Sequence, residues 1–386
     1  MPTTPVPTNA TTFLHSRPDH HLVAEGTTGQ FTDPSAAVEA LRSRTAHAVV
    51  GALPFDLREP AALMAPRSLR HHDGPWRGAS GAEVPAAGIT SEIPASDEHH
   101  RRVAHAIAAL ADPTNPLDKV VLARALRLCT ESALTPWQLA ARLGQGDGTG
   151  NLFVTDLSAA GARFAGHHLV GASPEVLLRK QGSTVTCHPL AGSAPRSPDP
   201  TTDSARARGL AGSTKDRHEH RIVVEGLRTA LEPLCGTVEV ADEPSMVSTP
   251  TMWHLGTPIR GTVADPGITA LELAVAVHPT AAVCGTPTGA ARDLILATEG
   301  SRGFYAGAVG WSDAAGNGEW MVSIRCAELA DDGRTATAWA GGGVVAQSRP
   351  DDELHETTAK FRTILAAFGI DDYATIDRAP TGVQSA

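Results

Sequence analysis

Apolar and polar positions alternate through three neighbouring segments, AGAVGWSD, EWMVSIRCAEL and RTATAWAGGG, which are separated by the Gly-bearing stretches AAGNG and ADDG. A period of two puts successive side chains on opposite faces of a strand, so this region predicts three strands joined by hairpin turns. Within the middle one Trp320, Val322, Ile324 and Cys326 alternate with Met321, Ser323 and Arg325, which puts Arg325 on the face opposite Ile324. From His168, HLVGASPEVLLRK-QG-STVTCHPLAG reads as two further strands around a Gly turn. Two segments carry a helical pattern instead. One begins near Ser213 and is apolar at Ile222, Val223, Leu227 and Leu231. The other follows Pro350, a residue suited to a first helical turn, and is apolar at Leu354, Phe361, Leu365 and Phe368, in steps of 7, 4 and 3. Strand clusters separated by helices, without a strict βαβ rhythm, predict an α+β fold.

No internal repeat and no linker divides the chain. One domain over 21–373 is expected, between a flexible Thr- and Pro-rich N-terminal tail, 1–20, and a similar C-terminal tail, 374–386. The polar segment from Ala194 to Thr214 carries three prolines and is the candidate mobile loop.

Composition narrows the function classes. With 386 residues and 41% apolar positions the chain can bury a large core. Its formal charge of -10, with no evident basic patch, argues against nucleic acid as a partner. No run of about 18 apolar residues suggests a membrane span, and the start lacks the pattern of a secretory signal. The five cysteines are scattered, without C-x-x-C, as expected of reduced thiols in a cytoplasmic protein.

The charged run KDRHEH, Lys215 to His220, is where chemistry first suggests itself. Asp216 and Glu219 are three apart and share a helix face. So do Glu353 and Glu356 in DDELHETTAK, with Lys360 four residues further on. Two such pairs could grip a hard divalent cation, and Mg2+ takes oxygen ligands of this kind. Each pair also has a plainer reading, Ser213-x-x-Asp216 as a capping box and Glu353 as a first-turn acid facing the helix dipole. Zinc is disfavoured, because His218 and His220 are two apart and point to different sides of a helix. Lys119, in KVVLAR, could equally be a strand-edge lysine reaching solvent.

Other segments decide between these readings. DKVVLAR, GASPEVLL, PLAGSAPR, KDRHEH, HLGTPIRG, HPTAAVCGTP, RGFYAGAVGW, GEWMVSIRCAEL and AGGGVVAQSRPDDELHETTAK resemble, in order, those of the chorismate-utilising enzymes. The likeness runs from about Lys119 to Phe368 and is strongest to isochorismate synthases of siderophore pathways. It implies the fold of anthranilate synthase component I, with two facing antiparallel sheets, helices outside and the site in the cleft. The implied reaction adds water at C2 of chorismate and expels the C4 hydroxyl, with Mg2+ as cofactor. By resemblance Lys119 is the base and Glu175 the acid. A lysine base must be neutral, with its pKa brought from about 10.4 toward about 7–8, whereas Glu175 must stay protonated.

The resemblance also makes Glu219 and Glu356 direct metal ligands, with Asp216 and Glu353 acting through water. Arg325, Tyr305 and the Gly341, Gly342, Gly343 run would hold the enolpyruvyl carboxylate. Gly192, Ser193, His254, Ala282, Val283 and Lys360 complete the expected substrate site. No amidotransferase partner is expected, and the chain is expected to be a monomer. Tyr305 stands where isochorismate synthases often have Phe, which keeps a salicylate synthase as the alternative. Ser193 points the other way. A non-catalytic anion- or cation-binding protein on the same fold is the rival from another class.

Overall fold

The computed structural model describes residues 11–78, 85–147, 150–249, 252–370 and 373. Its pairings are antiparallel throughout and run as one connected ladder of 17 strands, beside a separate three-stranded sheet. One wing of the ladder includes Ala48–Leu53, Ala308–Asp313, Gly318–Val322, Val176–Gln181 and Thr184–Cys187 in successive pairs. The other runs through Thr11–Ser16, Leu152–Asp156, His168–Gly171, Cys326–Leu329, Thr335–Val344 and Lys119–Thr130. The wings share one apolar core, which joins Phe13, Phe153 and Leu169 of the second to Val49, Leu178 and Trp320 of the first.

Strand pleating explains why the second wing reads as nearly continuous apolar sequence. Phe13, Phe153 and Leu169 enter the shared core, while their neighbours Leu14, Val154 and Val170 enter a second core on the opposite face. Phe361, Leu365 and Phe368 of helix Pro350–Ala367 cover that second core, with Leu139 and Leu143 of helix Pro136–Asp147. The wing is therefore a middle layer, and both its faces are dry. Among the described residues no helix is long and apolar enough to cross a membrane.

The two predicted acidic helices are present as Thr214–Leu231 and Pro350–Ala367. Ser213 caps the first, its hydroxyl accepting from Asp216 N at 3.2 Å. The expected hairpin around Gly182 is formed by Val176–Gln181 and Thr184–Cys187.

Three expectations need correction. Thr11–Ser16, expected to belong to a flexible tail, is a strand paired on both sides, with Phe13, Leu14, His15 and Ser16 fully buried. The strand forms because its TFLHS stretch supplies a side chain to each of the two cores. Residues 1–10 and 374–386 lie outside the described residues. The segment 194–214 is not a loop but the end of strand Leu190–Pro195 followed by helix Pro200–Gly212. Asp199 caps that helix and Pro200 opens it, so the prolines that suggested a loop sit where helix starts tolerate them. Third, the strand through Trp320 breaks after Val322 and resumes at Cys326. Arg325 there takes a left-handed backbone, φ 51°. The alternation stops at that break, and Ile324 and Arg325 line the same cavity.

Candidate active site

The lysine strand, Lys119–Thr130, lies beside the glycine strand, Thr335–Val344, with Val121 opposite Gly343 and Ala123 opposite Gly341. Both acidic helices approach this pair. The missing side chains of the glycines make room for them. A Cβ on Gly343 would stand 2.1 Å from Glu219 Oε1, and one on Gly342 would stand 3.0 Å from Glu353 Oε2. A Cβ on Gly341 would meet the Tyr305 hydroxyl at 2.9 Å. The Gly run is thus an opening through which two carboxylates and a phenol reach the strand.

Three lysine–glutamate pairs result. Lys119, fully buried, has Nζ 2.9 Å from Glu219 Oε1, an ionic contact without hydrogen-bond alignment. Lys215 donates to Glu353 Oε1 at 2.7 Å. Lys360 lies 2.6 Å from Glu356 Oε1 and donates to the Gly341 carbonyl at 2.9 Å. Ser193 Oγ donates to Glu356 Oε1 at 2.7 Å. Burial pushes Glu356 up, but Lys360, Ser193 and Lys215 outweigh it and hold the carboxyl well below the ordinary range. Burial and the Glu356 charge push Glu353 up, against Lys215 and Ser348. Asp216, also raised by burial, lies against Gly192, where a Cβ would come within 3.0 Å of Asp216 Cβ.

The four expected metal acids therefore gather in one region but do not form a ready coordination shell. Among the described residues no three His, Cys, Asp or Glu converge closely enough to hold an ion. Lysines neutralise three of the acids in their place. The donor set nonetheless fits a hard cation, because it is all carboxylate, and Glu353 Oε2 is buried without a partner. The geometry also disfavours zinc. His218 is half-buried beside Arg221, whereas His220 is buried on the Thr257 hydroxyl, 2.7 Å away.

The cavity in front of these pairs is lined by most of the expected substrate residues. Glu175, Gly192, Ser193, Glu219, His254, Ala282, Val283 and Tyr305 are on its wall. Arg325, Gly341, Gly343, Glu356 and Lys360 complete it. Lys119, Asp216, Gly342 and Glu353 lie behind this surface rather than on it.

Glu175 is 4% exposed, and burial raises its carboxyl to about 7, against a backbone hydrogen bond from Leu190 and the charges of Lys119 and Lys360. Glu219, the ion-pair partner of Lys119, lines the same cavity as Glu175. His254 is pushed down to about 3 by burial, Arg325 and Lys360, so it is neutral, and its Nε2 has no partner. Tyr305 is buried and stacks on Trp339, with ring centroids 5.6 Å apart; burial raises its phenol.

Sequence reasoning gave no role to Lys215, Ser348 or Trp339. Lys215 stood inside the quoted run, but its partner Glu353 lies 138 residues away. Ser348 Oγ donates to Glu353 Oε1 at 2.7 Å from the turn before the second acidic helix, where S/T-x-x-x-x-E offers no local signal.

A family model described as chorismate binding enzyme matches residues 66–369. The chain belongs to the chorismate-binding enzyme family. One relative, from Mycobacterium tuberculosis strain H37Rv and provisionally named isochorismate synthase MenF, is 47% identical over 363 residues, covering 93% of this chain and 96% of its own. Isochorismate synthase DhbC of Bacillus subtilis is 46% identical over 327 residues, 84% and 81% of the two chains. A Bacillus anthracis crystal structure, provisionally a 2,3-dihydroxybenzoate-specific isochorismate synthase, superposes with a TM-score of 0.86 at 36% identity, covering 94% of this chain and 98% of that one.

Proposed function

We propose that this chain is an isochorismate synthase that uses Mg2+ and acts in the cytoplasm. The observation that carries the reading is Glu175. A carboxyl raised by burial to about 7 on the wall of the cavity is suited to protonate a poor leaving group such as hydroxide. Glu219 and Glu356 would hold the metal directly, with Asp216 and Glu353 in support, and the ion when bound supplies positive charge for the ring carboxylate. Lys119 takes a proton from water as the oxygen bonds to C2 of chorismate. The ring double bonds shift, and the C4 hydroxyl leaves with the proton of Glu175. Water is consumed and released, so the net change is an isomerisation. Lys119 can act as base only when its ion pair with Glu219 is open. Arg325 and Tyr305 face the enolpyruvyl carboxylate, and Ala282 and Val283 form an apolar wall on the site.

The relatives' names include a 2,3-dihydroxybenzoate-specific enzyme, and the product here is assigned to the same kind of aryl-acid route to siderophores. Chromatography of the products from chorismate, with and without Mg2+, tests the reading. Isochorismate formed only with the metal supports it. Pyruvate released in step with chorismate consumed would make the chain a salicylate synthase, the reading that Tyr305 favours.

A further inference from the structure

Arg302 and Glu299 do not line the site's cavity, yet they tie together segments of its wall. Arg302 is 4% exposed. Its Nε donates to Glu299 Oε2 at 2.8 Å and one Nη2 hydrogen to Glu299 Oε1 at 2.9 Å. Nη2 also donates to the Val121 carbonyl at 2.8 Å, and Nη1 to the Val283 carbonyl at 2.9 Å. Glu299 Oε1 in turn accepts from Ala123 N at 2.8 Å. The guanidinium therefore bridges two backbone carbonyls whose residues, Val121 and Val283, both line the site, on neighbouring segments joined by the Val121 N donation to the Cys284 carbonyl at 2.8 Å. Val121 and Ala123 belong to the lysine strand, two and four residues beyond Lys119.

The same segment touches the base more closely still. Gly285 pairs with Val120, and Thr286 with Lys119. Gly285 has φ 136°, and a Cβ there would stand 2.2 Å from the Lys119 carbonyl oxygen. The guanidinium carbon also lies 4.7 Å from the centre of the Phe55 ring and 5.9 Å from that of Tyr305. One side chain thus fixes the spacing between the strand of the base, the apolar wall and Tyr305. A planar guanidinium can hold two carbonyls and a carboxylate at once, and an ammonium cannot reproduce that fork. A buried ion pair is weak support for stability, because an apolar pair of similar size often does as well. Geometry is the role that remains.

We propose that Arg302, held by Glu299, is a positioning and specificity-determining residue. It sets the wall spacing that lets water reach C2 while denying isochorismate the fold needed for its breakdown. In that side reaction the C2 hydrogen passes to the enolpyruvyl methylene carbon as the ring C–O bond of the side chain breaks, giving salicylate and pyruvate. The side chain must bend over C2 for the transfer, which a loosened wall permits. This inference rests on the proposed isochorismate synthase activity.

The test compares wild type with Arg302→Met/Glu299→Gln, which removes both charges at similar volume, and with Arg302→Lys. Melting temperature, kcat, KM and the ratio of pyruvate to isochorismate are measured on each. The expected result for the folded double variant is a kcat lower by about 100-fold, as for an ångström-scale misplacement, with KM within a few fold and a raised pyruvate ratio. Arg302→Lys should fall between, and it decides on the same readouts if the double variant does not fold. A folded variant with the wild-type kcat and product ratio overturns the proposal, and so does a change in KM alone. Wild-type protein that forms no isochorismate contradicts the proposed function instead, which keeps the two failures distinct.

Discussion

Lys119 Nζ sits 2.9 Å from Glu219 Oε1 with the lysine fully buried, so the candidate base and a candidate metal ligand neutralise each other. Changing one partner leaves the other charge poorly compensated, which commonly costs about 3–5 kcal/mol. Lys119→Met should therefore lower the melting temperature as well as abolish turnover. Lys119→Met/Glu219→Gln should recover the melting temperature but not the activity. Recovery of chorismate turnover with stability would remove Lys119 as the base.

Glu175 gives a pH dependence with a definite sign. As an acid it works protonated, and its folded-state pKa is raised from 4.5 to about 7, with burial the main cause. Turnover should fall as pH rises through about 7. In Glu175→Gln the rate should be low and that limb should vanish, while chorismate binding is retained. A rate profile that keeps the same descending limb in the Gln variant contradicts the assignment.

The same shift affects stability. A carboxyl whose pKa is raised on folding destabilises the native state as pH climbs from the unfolded value toward the folded one. Between 4.5 and about 7 this amounts to roughly 3 kcal/mol for a fully buried group. Glu175→Gln should match wild type in denaturant unfolding near pH 4 and exceed it near pH 8. Equal stability at both pH values would show that Glu175 is not held in its neutral form.

Gly343 is a steric prediction. A Cβ there stands 2.1 Å from Glu219 Oε1 and 3.0 Å from Lys119 Cε. Gly343→Ala must push the Glu219 carboxylate away, so activity should drop by about 100-fold with the fold preserved by circular dichroism. Wild-type turnover in that variant would mean the carboxylate position is not used.

Metal binding can be read without activity. A ligand that binds only the native state at 100 times its Kd adds about 2.7 kcal/mol, visible as a rise in Tm. Mg2+ should raise the Tm of wild type, and Glu356→Gln should reduce that rise. An identical shift in both would place the ion elsewhere.

Much of this was legible in the sequence, for reasons that differ by element. The helix at Ser213 and the helix at Pro350 announced themselves through caps and apolar periodicity, which are local signals. The strands near Trp320 were equally plain, but the break that turns Arg325 into the cavity was not. It depends on a left-handed residue that is not glycine, and only tertiary contacts hold it there. The Thr11–Ser16 strand was missed because its pairing partners lie at Leu22 and Phe153, and no local pattern separates it from the Thr- and Pro-rich start. The candidate site residues rest on motif order across the chain. Lys215 and the Arg302–Glu299 pair escaped because their roles arise from partners that only folding brings together.

The central claim is that chorismate loses its C4 hydroxyl while a hydroxyl from solvent is installed at C2 by a base and acid inside this cavity. Turnover in water enriched in oxygen-18, followed by mass spectrometry of the isochorismate, addresses it directly. The account predicts that newly formed isochorismate carries the heavy isotope at C2. Unlabelled isochorismate would mean that the substrate's own hydroxyl migrates, and Lys119 would then have no water to activate.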